Sequence, residues 1–281
     1  MLIKAFNAKK KLLPFYALIN PFSYFISDTL SSQKEKQAEL LRKQGNEYFK
    51  DASYSKSIEL YTQSISVHPT SVCYGNRSFA YFKLHNYEAS LEDATNSVQY
   101  DEQYYKGYFR RAEANMALEN YEFAISDFEK SINIEPNSSI LEKIQTCKRK
   151  QAQALKEEGN KVLKEGDIMT SIELYTRSIS LFPTSHCYGN RSYAFYMVKN
   201  FDNSVADATD SLRYDKNYAK GYLRRADAYQ ALQNYELAIN DYESYLNMNP
   251  NDSKVIKKIQ KLKRMIGIGE KRQYRINNKD H

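Results

Sequence analysis

Apolar and small residues along this chain recur at three- and four-residue steps within short windows. Ser57, Ile58, Tyr61, Ser64 and Ile65 form one such stripe, the period of an α-helix that buries one face. Its small members let a neighbouring helix approach closely. Polar breaks cut the windows. Lys50-Asp51-Ala52-Ser53, Leu84-His85-Asn86 and Leu118-Glu119-Asn120 recur on one spacing, and His68-Pro69-Thr70, Tyr100-Asp101-Glu102 and Glu135-Pro136-Asn137 on another. Such clusters stop helices and turn the chain.

The largest regularity is a duplication. KQGNEYFK, containing Asn46, returns as EEGNKVLK around Asn160; CYGNRSFAY, containing Asn76, returns as CYGNRSYAF around Asn190; KGYFRRAEA from Lys106 returns as KGYLRRADA from Lys220. Each pair lies 114 residues apart (160−46, 190−76, 220−106). Inside the first half Tyr54, Tyr87 and Tyr121 stand 33 and 34 residues apart, and Ile168, Phe201 and Tyr235 hold the same places in the second. A period of about 34 residues accommodates two helices of about a dozen residues and two short turns. The chain therefore reads as six helix pairs.

Stacked pairs leave the last apolar face uncovered unless a terminal helix, polar on its outer side, closes it. Each half supplies one. Ile140, Ile144 and Cys147 share a side after an Asn-Ser-Ser start with Glu142, and Val255, Ile259, Leu262 and Ile266 do the same near the C-terminus. Gly159 is the only glycine between Ser138 and Gly166, and no proline falls there. The first cap is thus expected to run straight into the next helix as a stiff junction. The expected organisation is an extension at 1–37; a first domain at 38–150, with repeats at about 38–70, 71–104 and 105–138 and a cap at 138–150; a second at 151–266, with repeats at about 152–184, 185–218 and 219–252 and a cap at 252–266; and a polar, frayed tail at 267–281.

Composition narrows the function. An apolar fraction of 42% in 281 residues is ordinary for a folded chain, and 25 Tyr with no Trp fits a repeated aromatic position. A net charge of +7 asks for a partner tolerant of positive charge. Cys73, Cys147 and Cys187 are far apart and without a CxxC, so they read as reduced, packed thiols in a cytoplasmic compartment with no metal site. No stretch reaches the ~20 apolar residues of a spanning helix. Residues 1–30, apolar from Leu12 to Ile26 behind Lys4, Lys9, Lys10 and Lys11, leave three readings open: an extension without fixed structure, a targeting signal, or a lysine-assisted membrane anchor. Nucleotide loops of the GxGxxG or GxxxxGK type are missing. The sequons at Asn76 and Asn190 fall within helices, and those at Asn137 and Asn251 read as helix caps. Tyr81, Tyr108, Tyr196 and Tyr222 have the spacing of core packing rather than of a nucleic-acid platform.

The small and aromatic positions, with closing prolines at Pro69, Pro136, Pro183 and Pro250, resemble the tetratricopeptide (TPR) repeat family over about residues 38–266. The run RRAEANMALENYEFAISDFE from Arg110 is similar to the TPR domain that precedes the catalytic domain in the serine/threonine protein phosphatase 5 family. That enzyme's GDxHG, GDxVDRG and GNHE motifs are absent. The resemblance implies an all-α solenoid of six TPR helix pairs that binds partners and is not an enzyme, with no cofactor.

In such a stack the first helix of each pair lines the concave groove, and the polar residues there are few. Arg42 and Asn46 are four apart on one helix, Lys106 and Arg110 four apart on another, with Asn76 between; the second half repeats the set as Lys156, Asn160, Asn190, Lys220 and Arg224. Residues four apart share a helix face. Three cations and two amides per groove, with no carboxylate among them, ask for an anion. These positions match the carboxylate clamp of co-chaperone TPR domains, with Arg42 where that motif usually has Lys. The family's clamp grips the free C-terminus of peptides ending Glu-Glu-Val-Asp on the ninety- and seventy-kilodalton chaperones, Hsp90 and Hsp70. By that resemblance Lys106 and Arg110 hold the Asp side chain or the upstream backbone, and Arg42, Asn46 and Asn76 the terminal carboxylate. Two alternatives stand beside this adaptor reading: a scaffold for internal acidic peptides, and the regulatory part of a phosphatase 5-like enzyme whose catalytic domain is missing.

Overall fold

The computed structural model describes residues 21–277, which hold helices and turns and no strand. The chain divides into two compact units, Met1–Cys147 and Lys148–His281. In the first, α1 (Pro21–Lys50) pairs with α2 (Tyr54–Val67), α3 (Ser71–Lys83) with α4 (Tyr87–Tyr100), and α5 (Tyr105–Ala117) with α6 (Tyr121–Ile134). Helix α7 (Ser138–Glu165) begins as the first unit's cap and ends as the first helix of the second unit, without interruption. There it pairs with α8 (Ile168–Leu181), followed by α9 (Ser185–Met197) with α10 (Phe201–Tyr214), α11 (Ala219–Ala231) with α12 (Tyr235–Met248), and the cap α13 (Ser253–Asn277).

Two helices run further than the sequence pattern implies. Helix α1 starts at Pro21, where a proline suits a first helical position because its missing N–H would have had no partner. Helix α13 continues past Gly267 to Asn277 through residues expected to fray; no proline follows Pro250 to stop it. The apolar stretch from Leu12 lies mostly outside the described residues. Among those described, no helix is long and apolar enough to cross a membrane.

Local chemistry sets the helix ends. Thr70 and Thr184 accept the backbone N–H of Cys73 and Cys187 at 3.2 Å, and Asp167 accepts that of Thr170 at 3.1 Å, each satisfying a donor that the first helical turn leaves free. Asn137 takes the N–H of Ser139. At the other sequon the capping oxygen belongs to Asp252, which accepts from Lys254 and Val255, not to Asn251. The turn inside each pair passes through the left-handed region at Ala52, His85, Glu119, Gly166, Lys199 and Gln233. Only one of these six is the glycine that adopts it without strain.

Three devices recur among the pairs. Buried Ser64, Ser97 and Ser178 donate to the carbonyls of Ala38, Ser71 and Ala152 at 2.7 Å, each on the first helix of its own pair. Arg77, Arg111, Arg191 and Arg225 make two-pronged ion pairs with Asp93, Asp127, Asp207 and Asp241, all at 2.7 or 2.8 Å. The caps then close the cores: Ile140, Ile144 and Cys147 bury against Ala124 and Phe128, and Val255, Ile259 and Leu262 against Ala238 and Tyr242. All three cysteines are buried and unbridged. Within a unit, successive first helices also touch (α1 with α3, α3 with α5, α9 with α11). The first helices of successive pairs thus lie side by side within a unit.

Candidate functional site

Each two-pronged arginine stands immediately after a candidate site residue: Arg77 after Asn76, Arg111 after Arg110, Arg191 after Asn190 and Arg225 after Arg224. Neighbours on an α-helix point about 100° apart. Fixing the arginine to the second helix therefore turns the preceding side chain away from that contact, along the first-helix face.

In the first unit Asn46 and Asn76 meet, Asn76 Nδ2 donating to Asn46 Oδ1 at 2.9 Å. The same oxygen accepts the Tyr61 hydroxyl at 2.7 Å. The arrangement recurs in the second unit, where Asn160 Oδ1 accepts Asn190 Nδ2 at 2.7 Å and the Tyr175 hydroxyl at 2.8 Å. Gly45 and Gly159 permit it: a Cβ there would come within 2.6 Å and 2.8 Å of the Tyr61 and Tyr175 rings. Burial pushes the Tyr175 phenol up to about 12 and raises that of Tyr61 as well.

The cations are placed differently in the two units. Arg224 donates to Asn190 Oδ1 at 3.2 Å and lies over the Tyr193 ring, so Asn160, Asn190 and Arg224 form one bonded chain across three successive first helices. Burial lowers the Arg224 pKa, and the phenols of Tyr218, Tyr175 and Tyr193 oppose the shift. Lys156 donates to the neutral amide of Gln153 at 2.7 Å. In the first unit Arg110 stacks on Phe79, 3.5 Å from the ring centroid. Arg110 and Arg42 both act on the half-buried Tyr104 phenol, lowering a pKa that desolvation raises. Lys106 and Lys220 are exposed and make no ion pair among the described residues.

The expectation of a surface free of carboxylates fails in the first unit. Arg42 is bonded to Glu39 at 2.9 Å and 2.6 Å. Arg110 is bonded to Glu113 at 2.8 Å, which also takes Lys143 at 3.1 Å. Both glutamates sit three residues from their arginine on the same helix, where side chains meet; matching the five candidate positions alone passed over them. Sequence reasoning also missed Tyr61 and Tyr175, signalled only by their constant 15-residue distance from Asn46 and Asn160. No group of three metal-ligating side chains occurs among the described residues.

A family model described as "Tetratricopeptide repeat" matches residues 105–138 and 219–252. Serine/threonine-protein phosphatase 5 of Rattus norvegicus is 40% identical over 116 residues, covering 41% of this chain and 23% of the phosphatase; the chain thus spans under a quarter of that relative's length. The Hsp70-Hsp90 organizing protein of Triticum aestivum is 22% identical over 260 residues, covering 81% of this chain and 43% of the relative. Among solved structures, the first TPR of Spaghetti (RPAP3) bound to the HSP90 peptide SRMEEVD is 32% identical, covers 43% of this chain and 94% of that one, and has a TM-score of 0.41.

Proposed function

We propose that this chain, which belongs to the tetratricopeptide-repeat family, is a non-enzymatic adaptor in which each unit receives the free acidic C-terminus of an Hsp90 or Hsp70 chaperone. The observation that carries this reading is the run of donors crossing successive first helices, Asn160 to Asn190 to Arg224 in the second unit and Asn46 to Asn76 in the first. Each Asn46 and Asn160 side chain has its oxygen occupied twice, which leaves its Nδ2 donor for a ligand. A terminal Asp offers two carboxylates on one residue, matched by Arg224, Lys220 and Lys156 around the amides. The similarity to the wheat Hsp70-Hsp90 organizing protein points the same way.

Charge-assisted hydrogen bonds contribute roughly 1.5 to 3 kcal/mol each. Four or five of them, less the ordering of a flexible tail, leave about −7 to −8 kcal/mol, a micromolar constant. Calorimetric titration of the full chain with a peptide ending Glu-Glu-Val-Asp tests the proposal. Lys106→Ala or Arg110→Ala removes binding by the first unit, and Lys220→Ala or Arg224→Ala by the second, with helical content unchanged. A peptide with an amidated C-terminus that binds as well as the free acid overturns the reading in favour of a scaffold for internal acidic segments.

A further inference from the structure

Two of the differences between the duplicated grooves fall on carboxylates that meet the candidate cations. Glu39 of the first unit corresponds to Gln153 of the second (153−39 = 114), and Glu113 to Asp227 (227−113 = 114). Glu39 and Glu113 pair with Arg42 and Arg110 and also with Lys43 and Lys143, so two of the three candidate cations already hold a carboxylate. In the second unit Gln153 is neutral. Asp227 is one methylene shorter than Glu113 and turns elsewhere: Tyr242 and Lys258 both bond its Oδ1. Phe128, the first unit's counterpart of Tyr242, has no hydroxyl to draw Glu113 away. Lys156, Lys220 and Arg224 therefore make no ion pair among the described residues, so no candidate cation of the second groove has to give up a carboxylate to receive a ligand.

Resting on the clamp reading above, we propose that the second groove is the tight receptor for a doubly negative chain end and the first a charge-compensated, weaker one, with Glu39 and Glu113 as the residues that set the difference. A ligand carboxylate entering the first groove displaces two existing ion pairs before it gains its own. Partly exposed pairs of this kind are worth ~0.2–1 kcal/mol each. Two of them separate the grooves by about two- to thirty-fold, using tenfold per ~1.4 kcal/mol. The second groove's uncompensated charges also make its binding fall more steeply with added salt.

The experiment uses the full chain and a peptide ending Glu-Glu-Val-Asp with a free carboxyl, followed by calorimetry at two ionic strengths. Lys220→Ala leaves the first groove to report alone, and Lys106→Ala leaves the second. The proposal expects the Lys106→Ala chain to bind about tenfold more tightly, and Glu39→Gln with Glu113→Gln, added to Lys220→Ala, to recover most of that gap. Gln153→Glu, which leaves the first unit untouched, should weaken the second groove several-fold. Equal constants for the two grooves, or no gain from the glutamine pair together with no loss from Gln153→Glu, overturn this proposal while leaving the clamp intact. Absence of binding at both grooves overturns the clamp reading itself and this inference with it.

Discussion

Replacing Asp93 by alanine should destabilise the first unit by about 3 kcal/mol. In the folded chain Asp93 accepts from Arg77 Nε and Nη2 at 2.7 Å, with the Arg77 side chain 16% exposed and that of Asp93 4%. Removing one partner of a buried pair costs ~3–5 kcal/mol because the other charge stays desolvated. The remaining bond from Arg77 Nη1 to Thr62 at 2.9 Å and the partial exposure place the cost at the lower end. Urea denaturation followed by circular dichroism measures it, with hydrogen exchange in α3 and α4 separating the first unit from the second. A drop of ~3 kcal/mol lowers the midpoint of thermal unfolding by about 10 °C for a unit of this size. Adding Arg77→Met should restore at least half, since an apolar pair of similar volume carries no unpaired charge. A loss below ~1 kcal/mol, or a double variant no better than the single one, would refute the reasoning. The same change should weaken peptide binding at Asn76, whose direction Arg77 fixes.

Three further outcomes follow from the geometry. Glu119→Gly should stabilise the first unit by up to ~1 kcal/mol in chemical denaturation, because Glu119 holds φ at 61°, where a side chain is strained and glycine is not. Gly159→Ala should weaken the second groove and lower stability, since its new Cβ would meet the Tyr175 ring at 2.8 Å; unchanged calorimetry and an unchanged melting temperature would contradict the close packing. The folded chain binds the Tyr175 proton more tightly than the unfolded one, with a pKa about 12 against 10.0. That contribution to stability is complete below pH 10 and is lost as the pH rises through 12, so ultraviolet titration of tyrosine should show Tyr175 ionising together with loss of helical signal.

The periodicity of 33 to 34 residues was enough to locate the helices and turns, because each pair must bury a stripe against the next and only one spacing does so. The caps were legible for the same reason: Ile140, Ile144 and Cys147 share one apolar side and bury it on the last helix pair of the unit, α5 and α6. Long-range polar contacts were less visible. Arg77 to Asp93 is a 16-residue interval that recurs at four places, yet a single arginine on a helix gives no sign of which second-helix carboxylate it meets. Glu39 and Glu113 escaped because pattern matching selects positions, whereas electrostatics acts on whatever charge lies within reach. The extension of α1 back to Pro21 was hidden because the repeat periodicity begins only near residue 38; as a first helical residue the proline starts a helix.

The amide at Asn160 separates a ligand-receiving role from a structural one more sharply than removal of any cation does. Its Oδ1 already accepts from Tyr175 and Asn190 at 2.8 Å and 2.7 Å, so the fold uses the oxygen and leaves the Nδ2 group unbonded. Asn160→Asp keeps the shape and both accepting bonds while exchanging that donor for a second carboxylate oxygen. If the groove receives an anion, the substitution removes one charge-assisted bond of about 1.5 to 3 kcal/mol and adds repulsion, so affinity at the second unit should fall by well over tenfold with the melting temperature nearly unchanged. Asn46→Asp should do the same in the first unit, through the matching contacts of Tyr61 and Asn76. Binding that survives Asn160→Asp in calorimetry would mean that the amide serves only to join α7, α8 and α9, and that the ligand, whatever it is, docks elsewhere.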